Sequence, residues 1–149
     1  MQRPLIMRNL GEVLDFLQLI EDGKEISVQG AWDLDQHLIH CAHSIEFAMS
    51  GYPSRKPLIF QNTIGTLVFH YFDWRNYMRH PTNAFNPGES DEDIVVGQCG
   101  IERLKETIAS FDAWDGPMQR HRFYGHLTKK QYDKVNAMHI ANHLELVEF

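Results

Sequence analysis

The chain closes on a stretch, Thr128 to Phe149 (TKKQYDKVNAMHIANHLELVEF), that contains neither proline nor glycine. With no breaker inside it and Thr128 placed as an N-cap, it reads as one helix running to the end. Residues three and four apart share a helix face, so Tyr132, Val135, Asn136, His139, His143 and Leu146 form a single stripe. Such a stripe belongs to the buried side of a bundle, yet this one carries two histidines a turn apart. Two imidazoles at i and i+4 can hold one metal ion from one side but cannot complete its shell. A further ligand has to come from another helix. The plain alternative is a polar seam in which the histidines only hydrogen-bond.

The rest of the chain supplies partners for that helix. Arg8 to Asp22 carries a stripe of Leu10, Leu14 and Leu17, widened by Val13 and Ile20, and Gly23 is placed to end it. The segment KEISVQGAW reads as a loop, because a lone strand over Ile26 and Val28 has no partner in sight. A second helix is expected from Asp33 to Ser50, with Asp33 and Gln36 forming a capping box and Gly51-Tyr52-Pro53 as the stop. A third, aromatic helix covers Leu58 to Met78 and is interrupted in character by Gly65. His80 to Ser90 reads as irregular structure. Ser90 with Asp93 then opens a fourth helix, Asp91 to Trp114, in which Gly97 and Gly100 permit close helix approach. Four long helices and one auxiliary helix make an all-α fold, a four-helix bundle with an additional helix, in one domain spanning residues 1–149.

Composition agrees and removes several classes of function. Hydrophobic content of 43% over 149 residues is enough for a real core without staples. A formal charge of -6 in short mixed runs offers no groove for nucleic acid. No segment approaches a membrane span, and the N-terminus has no long apolar stretch of a leader. Cys41 and Cys99 are too few and too far apart for a disulfide framework or a thiolate zinc site, so a reduced, cytoplasmic setting is expected. The aromatics of the third helix, among them Phe69, Tyr71, Phe72, Trp74 and Tyr77, exceed what a domain of this size buries and argue for a homodimer.

Histidine is the unusual residue, nine in all, and His37, His40, His43, His139 and His143 fall in the second and last helices. The terminal pair with one histidine of the second helix gives a three-nitrogen site with open positions for water or a small-molecule substrate. Such a site suits Zn, Ni, Fe or Mn, and the ligand types do not separate them. By helical angle His37 lies nearer the centre of the apolar arc than His40, although Trp32, Ile39 and Phe47 make that arc wide. Glu145 and Glu148 flank the pair but point elsewhere. Tyr132 lies on the histidine face, two turns before His139, where it would act as a catalytic hydrogen-bond donor. His43, His70, His80, His121 and His126 read as surface, loop or core residues.

The pattern W-D-L-x-Q-H-L-I-H-C from Trp32 resembles the start of the second helix in the DinB/YfiT-like superfamily of metalloenzymes. Three further stretches resemble a bacterial family within it: S-I-E-F-A-M-S-G-Y-P at Ser44–Pro53, H-R-F-Y-G-H-L-T at His121–Thr128, and the terminal M-H-I-A-N-H-L. The resemblance implies an up-down-down-up four-helix bundle binding Zn or Ni through His40, His139 and His143. It therefore replaces His37, favoured by angle, with His40. It further implies a thiol-dependent S-transferase using a low-molecular-weight thiol. A metal-dependent hydrolase, or a non-enzymatic binding or stress-related bundle in which the histidines only hydrogen-bond, stands as the alternative. In the superfamily's common ending a histidine, an arginine and a glycine follow the pair; Leu144, Glu145 and Leu146 stand here instead.

Overall fold

The two helices expected to carry the site both start on the caps read from the sequence, Asp33 and Thr128. The computed structural model describes residues 3–23, 25–94 and 99–149. Helix α1 spans Leu10–Asp22, with Asn9 accepting from the Glu12 N–H at 3.0 Å. Helix α2 spans Leu34–Ser50; the Asp33 carboxylate accepts from Gln36 N–H at 2.9 Å, and the Gln36 side chain accepts from Asp33 N–H at 2.8 Å. Gly51 ends α2 at φ +100°, a conformation that favours glycine. Helix α5, Lys129–Leu144, repeats the box with Thr128 and Gln131.

Helix α3 is composite: α-helical over Leu58–Phe60, π-helical over Gln61–Gly65, then α-helical over Thr66–Arg75. The cause of the wide turn sits at Gly65, where an added Cβ would lie 1.8 Å from the Phe123 carbonyl oxygen. The backbone of residues 121–125 presses directly on the helix there, and Thr66 Oγ1 donates to the Gln61 carbonyl at 2.8 Å across the widened turn. Helix α4, Gly100–Ala113, begins where the Gly100 N–H reaches Asp35 Oδ1 of α2 at 2.8 Å. A Cβ at Gly100 would meet the Asp35 Cα at 2.7 Å, so this glycine does permit close helix approach.

The architecture is all-α, a four-helix bundle of α1, α2, α4 and α5 with α3 beside it. α2 packs most extensively on α4, and α5 packs on both α1 and α2, so the second and last helices are neighbours. Leu10, Val13 and Leu17 of α1, Leu38, Cys41 and Ile45 of α2, Leu104, Ile108 and Phe111 of α4, and Met138 and Ile140 of α5 are fully buried together. Each large side chain contributes on the order of 1.5–3 kcal/mol by leaving water. α3 joins this core through Phe69. Among the described residues no helix is long and apolar enough to cross a membrane.

Three expectations need correction. The last helix does not run to the end: it stops at Leu144, and Leu146 leaves the stripe. The Glu145 and Leu146 N–H groups close its final turn on Ala141 and His143, after which β2 (Val147–Glu148) pairs antiparallel with β1 (Ser27–Val28). The segment read as a partnerless loop and the tail read as helix thus satisfy each other's backbone. The fourth helix starts at Gly100 rather than Asp91. Ser90 does donate to Asp93, from N at 2.7 Å and Oγ at 2.8 Å, but this box closes only a turn over Asp91–Ile94. The share of that expected helix over residues 95–98, Gly97 included, lies outside the described residues, as does Lys24.

Candidate metal centre

His40 of α2 and His139 and His143 of α5 converge. One ring nitrogen from each lies within 4.8 Å of the others, and Nε2 of His139 and Nε2 of His143 are 3.2 Å apart. Two metal–nitrogen bonds of about 2.0–2.1 Å span such a separation at an angle near tetrahedral. Ring centroids repeat the convergence, at 5.3 Å for His40–His139, 4.9 Å for His40–His143 and 4.8 Å for His139–His143. Burial, followed by the neighbouring imidazoles, pushes the pKa values of His139 and His143 well below the ordinary histidine range. Both rings are therefore neutral at pH 7, the form that ligates metals.

The nitrogens turned away from the cluster are held in place. His40 Nδ1 donates to Glu89 Oε1 at 2.6 Å, and His43 Nδ1 faces Glu89 Oε2 at 2.6 Å. Burial alone would raise the Glu89 carboxyl, but the hydrogen bonds from the two histidines outweigh it and hold Glu89 ionised well below the usual range. Asn86 ties the same loop to α2, donating to the His40 carbonyl at 3.0 Å and accepting from Ser44 Oγ at 3.2 Å. His143 Nδ1 lies 2.8 Å from His37 Nδ1. With Nε2 of His143 turned to the cluster, its Nδ1–H donates to His37, and the His37 proton sits on an enclosed Nε2 that has no partner among the described residues. A carboxylate–histidine pair and an imidazole relay are the supports that fix ring orientation and tautomer around a metal. The donor set therefore fits a divalent transition ion. Trp32 closes the far side, its indole stacked on His143 at 6.5 Å and packed on His37 and His40.

A cavity of about 440 Å³ opens onto the cluster through His40, His80 and His139. Its other walls are largely aromatic, with Tyr52, Phe72, Phe85, Phe123 and Tyr124. His121 also lines it, with Nδ1 accepting from the Phe123 and Tyr124 N–H groups at 3.1 and 3.2 Å. Burial, then the Arg122 charge, pulls the His121 pKa down to about 3.

The structure thus brings three of the four expected site residues together. Tyr132 is fully buried on the same helix, but its hydroxyl donates to the Gln119 carbonyl at 2.6 Å, and its ring lies 6.0 Å from His121. Sequence reading missed Glu89, which no periodicity connects to α2, and undervalued His37, His43 and His80. The dense spacing of His37, His40 and His43 was the one available signal: all three are used, but in different roles. Glu145, set aside as a base, pairs with Arg79 and accepts from Leu5 N–H at 2.9 Å.

Comparisons with curated proteins and with solved structures find no match. A family model described as "Protein of unknown function (DUF1569)" matches residues 1–148. Since that match takes in the second-helix motif, the His121–Thr128 segment and the terminal histidine pair, the chain belongs to the DUF1569 family, within the DinB/YfiT-like superfamily that its motifs resemble.

Proposed function

We propose that this chain is a metal-dependent enzyme acting on a small molecule, with His40, His139 and His143 holding one divalent ion, zinc or nickel. The observation that carries this reading is the meeting of three imidazole nitrogens within 4.8 Å at the wall of a largely aromatic cavity. A divalent ion on three neutral ligands keeps its positive charge, and so strengthens as an acid whatever water or thiol meets it.

The protein's own groups divide the remaining work. Glu89 and His37 hold the ligand rings in one orientation, and Trp32 keeps water from the far side. Phe72, Phe85, Phe123 and Tyr124 offer an apolar seat for the body of a substrate. Tyr132 serves from behind the wall, holding the Gln119 carbonyl and backing His121. The reaction favoured is transfer of a low-molecular-weight thiol to a small electrophile, on the strength of the family resemblance; hydrolysis is the reading in which water takes the thiol's place. Two unpaired cysteines, Cys41 and Cys99, support a cytoplasmic setting. The exposed apolar face of α3 supports a homodimer.

Turnover of a panel of thiols with electrophilic acceptors, and of ester and amide substrates without thiol, tests the reading. Metal-dependent turnover that disappears in His139→Ala is expected. Equal turnover in the two proteins would remove His139 from the catalytic centre. Turnover only in the thiol-free arm would select hydrolysis.

A further inference from the structure

A fourth histidine is built into the wall of this centre. His80 lies on no helix, yet it is held at two points. Its carbonyl accepts from Asn142 Nδ2 at 3.1 Å, a buried side chain one residue before His143. Its Nδ1 donates to the Pro81 carbonyl at 2.9 Å, which leaves the lone pair on Nε2. That Nε2 is enclosed and has no hydrogen-bond partner among the described residues. Buried acceptors are rarely left this way unless a ligand or ion completes them. The ring lies 4.7 Å from His139 and 5.3 Å from His143, centroid to centroid, and lines the cavity beside His40 and His139. Its nitrogens nevertheless fall outside the set of three that share a 4.8 Å neighbourhood. His80 stands one layer out from the cluster, on its open side.

We propose that His80 Nε2 accepts a hydrogen bond from the group that fills the cavity-facing side of the centre. It thereby selects an occupant whose donor atom carries hydrogen, O–H, N–H or S–H, over an aprotic anion. This rests on the reading that His40, His139 and His143 hold an ion. His80 is a positioning residue in this account: it orients the incoming atom without touching the ion.

Cobalt(II)-loaded protein reports the binding of added ligands in its visible spectrum, independently of turnover. Methanesulfonamide, whose ligating nitrogen keeps a hydrogen, is compared with thiocyanate, which has none. In His80→Phe the methanesulfonamide Kd is expected to rise about tenfold, with thiocyanate and cobalt affinity little changed. His80→Gln, which restores an acceptor oxygen, is expected to recover much of the loss. Equal changes for both probes, or no change for either, would overturn the proposal. So would a cobalt affinity that collapses in His80→Phe, since His80 would then be a ligand itself. A second readout needs no variant: in the zinc-loaded protein the ¹⁵N resonance of His80 Nε2 moves on adding methanesulfonamide but not thiocyanate. A resonance that stays fixed with both overturns the proposal even if His80→Phe fails to fold. Wild-type protein that takes up neither metal would instead bring down the three-histidine reading, and this inference with it.

Discussion

Glu89 shows how little of a buried site a linear pattern can contain. It sits in a loop of prolines and asparagines, and nothing in its neighbourhood marks it as more than a polar turn residue. Only the folded loop places its carboxylate 2.6 Å from both His40 and His43. Replacing it by Gln keeps the shape but removes the charge that holds His40 Nδ1–H. Affinity for zinc is expected to fall about ten- to a hundredfold while the fold persists, as happens when a ligand histidine loses the hydrogen-bond partner of its other nitrogen. A competition titration with a chromophoric chelator measures this, and an unchanged affinity would show that Glu89 serves only the loop. The ligand positions themselves were better marked. A four-residue spacing puts His139 and His143 on one face by geometry alone. The choice between His37 and His40 was not: both are buried, and the rings differ in which way they turn rather than in whether they are inside.

Among the elements, legibility followed local signals. The box at Asp33, the cap at Thr128 and the stop at Gly51 are local chemistry, and they formed as read. The errors at β1, at the end of α5 and at the start of α4 share one cause: each boundary is set by a hydrogen-bond partner distant in sequence. The segment around His121 adds a dependence on pH. Its folded pKa, about 3, lies below the ordinary 6.5, so between those values the unfolded chain binds a proton that the folded chain refuses. This contribution is complete above about pH 6.5 and is lost as pH falls toward 3. On the order of 3 kcal/mol should disappear between about pH 7 and pH 4. His121→Asn keeps an acceptor for the two N–H groups but does not titrate, so its urea-unfolding free energy should fall less steeply over the same range. Parallel curves for the two proteins would deny His121 this role.

For the molecule as a whole, α3 is the element left over. Ile64, Leu67, Tyr71 and Trp74 recur at helical spacing and all lie exposed, Trp74 at 78%. A continuous apolar stripe on a small domain marks an interface. Light scattering is expected to give twice the 17.4 kDa chain mass, returning to the single mass in Leu67→Glu; a single mass for wild type at all concentrations would reject the dimer. Neither result bears on the centre, which is assembled within one chain from α2 and α5. The claim on which the functional account depends is that these two helices hold an ion, and metal content tests it most directly. Protein purified without a histidine tag and incubated with zinc, or with nickel, should carry about one equivalent, and His139→Ala under about a tenth. A wild-type protein that takes up neither metal, or a His139→Ala variant as fully loaded as wild type, would contradict the account.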